Sequence, residues 1–373
     1  MSSHEEPQSS TPPTAPSAPE KSPYDTITIG RSADASANQR ATSLIADLKR
    51  RCQAGLTPQC RILKVDGLWT WGRLNQCHLT TKTEFKHLDS LLDIFSQTIV
   101  CLDIQAVNFF TLPKETIAKI GGLQNLQTLR IRISFTKGSS FRGIPHDPST
   151  IPTRLPTDTE CLAALLKAAR GVTSLDLTDF RPVCSPESLC VHLGRIQFNA
   201  IRKLKIDVKT EGNLTNAGIV SLSTRLPSLT TLEVGGLGYD GSALVPIFDI
   251  ISQKLEQLVI NDARVLRPLL EINFPKLRVL KLQDWDEYVN EFWQQPMFSQ
   301  GALEVIELHC LPYHKRGNSC LRIRLDELPK LKRAIYHDAV RHPPPAHQLR
   351  MCQTKGVKCS LLPHHNDENA GKS

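Results

Sequence analysis

The 373-residue sequence contains no uncharged apolar run near the roughly 20 residues that a membrane-spanning helix requires. Its first residues also lack the charged segment and apolar core that make up a secretory signal. We therefore expect an intracellular protein, cytoplasmic or nuclear, with no membrane partner. The eleven cysteines have no regular spacing, and in a reducing compartment we expect them to remain thiols.

Sequence motifs that carry catalytic chemistry are also missing. The chain has no G-x-S-x-G, no Cys-His signature and no pair of acidic residues within a recognisable catalytic motif. We therefore predict a protein that is not an enzyme, with no catalytic residues and no cofactor. Zinc-type C-x-x-C pairs are absent too, and we predict no metal site. We interpret as ordinary core and surface residues the potential ligands near the C-terminus, which are His337, His342, His347, Cys352, Cys359, His364 and His365.

What the sequence does have is a repeated phrase, L-x-x-L-x-L. Ten copies occur, and seven of the nine steps between them fall between 22 and 29 residues, the period of repeats that stack to bury a shared core. The final x-L-x-L alternates with a period of two, which predicts a half-buried strand, and amphipathic helical segments lie between the strands. The middle residues of the ten phrases are Leu63, Leu102, Leu129, Leu175, Leu204, Leu232, Leu258, Leu280, Ile306 and Ala334.

With these ten phrases the chain resembles leucine-rich-repeat proteins, and in particular the repeat region of F-box/LRR proteins. The resemblance implies an α/β solenoid, or horseshoe, with parallel strands on the concave face and helices on the convex face. It departs from the family in lacking a recognisable F-box and in having no Asn or Cys after the strand. The positions that would carry this polar ladder are instead Val107, Phe180, Leu237, Ala263, Trp285 and Leu311.

Composition divides the chain into three parts. We expect residues 1–39, rich in Pro, Ser and Thr, to be disordered, residues 40–362 to form one repeat domain of about ten repeats, and residues 363–373 to be a disordered tail. Residues 135–157 form a Pro-, Ser- and Thr-rich insertion between two repeats, interpreted as a disordered or partner-contacting loop. Near the C-terminus the helix 346–355, Gly356 and the strand 357–361 form a closing unit.

One stretch matches a nucleotide-binding motif in its letters. Gly236, Gly238 and Gly241 form G-x-G-x-x-G after a strand, and Asp262 follows 21 residues beyond. In a dinucleotide fold the preceding strand is normally buried on both faces, whereas Glu233 lies in this one. We therefore interpret the motif as a repeat turn and keep a nucleotide-binding enzyme only as a remote alternative.

The alternate positions of the strands predict where a partner binds. Side chains at the x positions of x-L-x-L point away from the core, and their signs are mixed rather than uniformly basic, although the last 65 residues hold twelve Lys or Arg against five Asp or Glu. Mixed signs favour a protein partner over nucleic acid. We expect a non-catalytic interaction scaffold for an unidentified protein; the alternative is a substrate-recognition subunit of a ubiquitin ligase, bound to other ligase subunits. The predicted partner-binding residues are Arg130, Asp176, Lys205, Asp207, Glu233, Asn261, Lys281, Gln283, Glu307 and His309.

Overall fold

The computed structural model describes eleven stretches of the chain and, within them, a single open sheet. The described stretches are 24–30, 37–69, 85–107, 110–134, 158–180, 191–207, 216–235, 241–284, 292–309, 324–339 and 343–363. Twelve parallel strands follow one another in chain order, so each new strand is added beside the preceding one. The strands are β1 (Thr26–Ile29), β2 (Ile62–Trp69), β3 (Cys101–Val107), β4 (Thr128–Ser134), β5 (Ser174–Asp176), β6 (Lys203–Asp207), β7 (Thr231–Gly235), β8 (Gln257–Asp262), β9 (Val279–Asp284), β10 (Val305–His309), β11 (Arg333–His337) and β12 (Lys358–Leu361).

Helices connect many of these strands and cover one face of the sheet. Neighbouring helices pack against each other along the chain, as the first four do. They are α1 (Ala37–Gln53), α2 (Phe85–Ile94), α3 (Lys114–Gly121), α4 (Asp158–Ala168), α5 (Asn216–Thr224), α6 (Val245–Ile251), α7 (Pro296–Ser299) and α8 (Ala346–Thr354). Short 3-10 helices lie at Ser242–Leu244, Ala263–Leu269 and Leu325–Glu327. Parallel strands with helices on one side and an open end confirm the α/β leucine-rich-repeat solenoid.

The middle residues of the ten phrases form one row through the core. From Leu63 on β2 to Ala334 on β11, each middle residue is the register partner of the next. All ten are 0% exposed. A fully buried leucine side chain contributes about 2 kcal/mol through removal of its apolar surface from water. The row therefore holds neighbouring repeats in a single register.

Two side chains of α4 satisfy backbone donors of the preceding repeat, where the sequence lacks a polar ladder. The Asp158 carboxylate accepts the Phe110 N–H at 2.6 Å, and the Cys161 thiol accepts the Leu112 N–H at 3.2 Å. Both acceptors are at most 2% exposed. A buried backbone N–H without a hydrogen bond costs free energy, and an apolar residue at the ladder position cannot accept one. Each of these two contacts therefore removes that cost.

The N-terminal boundary differs from the expectation. Thr26–Ile29 lies within the segment predicted to be disordered, yet it pairs with β2 as the first strand of the sheet. Ile27 and Ile29 are each 4% exposed, so burial of two alternating isoleucines stabilises a strand that composition alone disfavours. Disorder throughout 1–39 is therefore wrong, and β1 is the one strand beyond the ten phrases and the predicted closing strand. Residues 1–23, the insertion 135–157 and residues 364–373 lie outside the described residues.

At the other end, the closing unit is confirmed. α8 is followed by Gly356 with φ +69°, a left-handed conformation that favours glycine and ends the helix. β12 then pairs with β11, placing Cys359 beside Ala334. The final strand therefore continues the register of the ten phrase residues.

Candidate functional site

The face of the sheet opposite the core carries three rows of side chains. Because strand side chains alternate between faces and neighbouring strands are in register, equivalent x positions line up across the sheet. We call them the first, central and last rows, in the direction in which the strands run. From β2 to β11 the central row is Lys64, Asp103, Arg130, Asp176, Lys205, Glu233, Val259, Lys281, Glu307 and Ile335.

The first six residues of the central row alternate in sign, and ion pairs link several of them across strands. Arg130 Nε donates to Asp176 Oδ2 at 2.6 Å, and its Nη1 donates to Asp103 Oδ2 at 3.3 Å. Arg132, in the last row, donates to both Asp103 oxygens at 2.9 and 3.0 Å and approaches Asp66 at 3.7 Å. Two guanidinium groups on β4 thus hold carboxylates from β2, β3 and β5.

The two carboxylates of this cluster are buried. The Asp103 and Asp176 side chains are 2% and 7% exposed, so their charges need compensation. Burial alone would raise the pKa of Asp176, but hydrogen bonds from Thr178 and Arg130 hold it below its usual value. Burial would likewise lower the pKa of Arg130, but the neighbouring Asp176 and Asp103 raise it. Both groups therefore remain charged over a wide range of pH.

A second cluster lies on β6 and β7. The Glu233 carboxylate accepts hydrogen bonds from Lys205 Nζ at 2.6 Å and from Lys203 Nζ at 2.9 Å, and the Glu233 side chain is 12% exposed. Burial would raise the pKa of Glu233, but the two lysines lower it instead. One carboxylate thus only partly neutralises two cations. The side chains of Lys205 and Lys203 are 26% and 44% exposed.

The third cluster joins β9, β10 and β11. Lys281 Nζ and His337 Nε2 lie 2.9 and 3.3 Å from the same oxygen of Glu307. The His337 ring stacks on His309, with ring centroids 4.3 Å apart and planes 8° from parallel. Two planar imidazoles therefore cover the end of the strands beside a paired carboxylate.

The remaining predicted residues lie in the last row, between the second and third clusters. Asp207 is the register partner of Gly235, and its carboxylate leans over that glycine so closely that a Cβ there would collide with Oδ1. Asn261 and Gln283 follow on β8 and β9 and are partly exposed. Within the described residues, Asn261 Oδ1 is buried without a hydrogen-bond partner.

The structure therefore places all ten predicted residues on the strand face, six in the central row and four in the last row. It does not leave them equally accessible, because Asp176 and Asp207 are 5% and 6% exposed. Their role in binding stays a prediction. The predicted partner-binding set omitted Asp103, Arg132 and His337, although each occupies an x position and is identifiable by the same alternation.

The nucleotide motif has a structural explanation at the residues that the structure describes. A Cβ at Gly241 would collide with the Val265 carbonyl oxygen, so the glycine permits close backbone packing. Asp262, the acidic residue that follows the motif, is 2% exposed and accepts hydrogen bonds from the backbone and guanidinium of Arg264. Gly236 and Gly238 lie outside the described residues.

Two other features concern the same described stretches. Within them, no cluster of three or more His, Cys, Asp or Glu side chains is arranged to hold a metal ion. His342, His364 and His365 of the C-terminal set lie outside those stretches. No helix described by the structure is long and apolar enough to cross a membrane.

This architecture and its rows of side chains define a leucine-rich-repeat solenoid with a polar concave face. No family model matches the chain, and no curated protein matches it. Among solved structures, a chain in the crystal structure of the Rad7 and Elc1 complex in yeast is similar to it, with 13% sequence identity and a TM-score of 0.33. The match covers 89% of this chain and 89% of that chain, and at this level of similarity it carries no argument about function.

Proposed function

We propose that this protein is a non-catalytic, intracellular scaffold that binds another protein through the concave strand face. The observation that carries the proposal is the balance of charge on that face. Between β2 and β10 the three rows hold six cations and six anions, interleaved across strands. The cations are Lys64, Arg130, Arg132, Lys203, Lys205 and Lys281, and the anions are Asp66, Asp103, Asp176, Asp207, Glu233 and Glu307.

From β2 to β10 the surface is neutral and finely mixed in charge, which favours one class of partner. A polyanion such as nucleic acid requires a run of unpaired cations, because its affinity comes mainly from phosphate neutralisation. A folded protein can instead match alternating charges with its own, which supplies specificity more than affinity. The ion pairs also hold the side chains in fixed positions, so less conformational entropy is lost on binding.

The face is large enough for such an interface. Its twelve strands lie about 4.8 Å apart and its three rows span about 13 Å, so it covers roughly 650 Å². A standard protein interface uses about 800 Å² from each partner. Binding along most of the sheet, with small contributions from the rims, would therefore be sufficient.

The test uses two adjacent, partly exposed residues that form no part of the ion pairs. Thr231 and Gln257 are register partners in the first row, and the T231R/Q257R variant adds two long side chains to the face. Q53R/Q353R makes a matched change at exposed helix residues. Affinity purification with cross-linking mass spectrometry measures partner recovery and the position of the cross-links.

We expect T231R/Q257R to reduce partner recovery at least tenfold, with the control unchanged and wild-type cross-links on the strand face. Equal recovery by both variants, with unaltered melting temperatures, would contradict the concave site. Recovery of Skp1 and cullin subunits would favour the ubiquitin-ligase alternative. A rise in melting temperature with added NAD would instead favour the nucleotide-binding enzyme.

A further inference from the structure

One register pair on the strand face places two like charges side by side. Arg333 on β11 and Lys358 on β12 are direct partners in the first row, and both residues are exposed. Like charges directly opposite each other destabilise a sheet. The Arg333 guanidinium reaches the Ser360 hydroxyl at 3.5 Å, and within the described residues neither cation lies at ion-pair distance from a carboxylate. Two uncompensated cations therefore stand side by side at the C-terminal end of the face.

An apolar surface adjoins these cations. Val279 and Val305 are register partners on β9 and β10 in the first row, and both are partly exposed. Val259 on β8 and Ile335 on β11, both in the central row, are each 7% exposed. At the same first-row positions β4 to β7 carry polar side chains, which are Thr128, Ser174, Lys203 and Thr231.

We call these six residues the C-terminal patch: Val259, Val279, Val305, Arg333, Ile335 and Lys358. We propose that the C-terminal patch binds a short acidic segment of the partner protein, with carboxylates on Arg333 and Lys358 and an aliphatic side chain on Val279 and Val305. This inference rests on the proposed scaffold function and assigns the chemistry of one part of its site.

The surroundings favour an acidic peptide over a nucleic acid. Glu304 and Glu307 flank Val305 along the chain, and each is already paired with cations. Their negative charges would oppose a continuous phosphate backbone but leave room for separate carboxylates at the two free cations. Arg333 offers a planar fork that suits carboxylates, and the valines offer apolar surface that phosphates do not use.

The test starts from an unbiased probe. A displayed library of random twelve-residue peptides is selected on the full chain, and enriched peptides are labelled for affinity measurements by fluorescence polarisation. We expect enriched peptides to combine Asp or Glu with Leu, Ile, Val or Phe. R333E/K358E should weaken their binding at least 30-fold and V279S/V305S at least tenfold.

The matched control is K49E/K114E, which reverses two exposed lysines on α1 and α3 and changes the net charge equally. It should alter affinity less than twofold. If R333E/K358E fails to fold, R333S and K358S measured singly should each weaken binding at least threefold.

Three results would overturn the inference. They are enrichment of basic peptides, equal affinity for wild type and R333E/K358E, and binding of random-sequence duplex DNA that R333E/K358E abolishes. If T231R/Q257R loses a peptide or partner that R333E/K358E still binds, the role of the C-terminal patch is contradicted but the scaffold function is not. If binding is unchanged in both variants, the proposed scaffold function is contradicted as well.

Discussion

Arg130 on β4 donates one hydrogen bond to Asp176 on β5 at 2.6 Å and another to Asp103 on β3, so one side chain ties three strands together. We expect R130M to lower the free energy of unfolding by about 2 kcal/mol, because two buried carboxylates lose a charged donor. Urea denaturation followed by circular dichroism measures the change.

The control for this variant is R50M. Arg50 also makes an ion pair, with Asp47, but its side chain is 75% exposed, so its removal should change stability by less than about 0.5 kcal/mol. D176N combined with R130M should recover part of the loss, because the double variant leaves one buried charge fewer. A change in R130M no larger than in R50M would contradict the structural role.

Glu233 makes stability depend on acid pH. Its pKa is lowered in the folded protein, so the unfolded chain binds its proton more readily. The stabilisation is therefore present above the unfolded pKa, about 4.3 for a glutamate, and is lost as the pH falls through the folded value. We expect wild type to lose more stability than E233Q between neutral pH and about pH 3, as measured by urea denaturation.

K203M/K205M supplies the matching test from the other side of the contact. Without the lysines, burial dominates and the pKa of Glu233 should rise. The folded protein then binds this proton at least as readily as the unfolded chain, so the loss of stability on acidification should be smaller than in wild type. Identical pH profiles for wild type, E233Q and K203M/K205M would show that the contact does not couple to folding.

The spacing of the leucine phrases was sufficient to predict the core but not the first strand of the sheet. Leu63 and its nine equivalents were identifiable because each phrase reports the same local geometry, and all are fully buried. Thr26–Ile29 was missed because two isoleucines within a Pro- and Ser-rich stretch give too short an alternation. Burial against neighbouring elements, which the sequence does not display, decides that case.

The candidate site was predictable in placement but not in pairing. Alternation alone put Lys205 and Glu233 on the same face, and their opposite signs were visible. That they contact at 2.6 Å depends on register, on strand twist and on which rotamers remain open beside Lys203. The conflict between Arg333 and Lys358 also required the register of β12, since its strand lies outside the ten phrases.

Gly241 provides a test of the rejected nucleotide motif. G241A should lower the free energy of unfolding by more than about 2 kcal/mol, because its Cβ would collide with the Val265 carbonyl oxygen. G171A is the control, since a Cβ there lies 3.6 Å from the Leu126 carbonyl oxygen, an ordinary contact. A stable G241A protein would contradict the packing role.

The thiols should differ in reactivity according to burial. Cys52 is exposed, whereas Cys161 is buried and burial raises its pKa to about 12. Because the thiolate is the reactive form, we expect iodoacetamide to label Cys52 much faster than Cys161 at neutral pH. Peptide mapping by mass spectrometry resolves the two sites, and denaturant should remove the difference. Comparable rates in the native protein would contradict the packing of α4.

The charge pattern of the central row repeats every two strands. Between Lys64 and Glu233 each strand is opposite in sign to its neighbours. Loss of the single repeat that contains Lys205 would bring Asp176 against Glu233 and juxtapose two anions, whereas loss of two consecutive repeats would restore the alternation. Shortening or lengthening of this array, in the laboratory or in evolution, should therefore be tolerated in pairs of repeats.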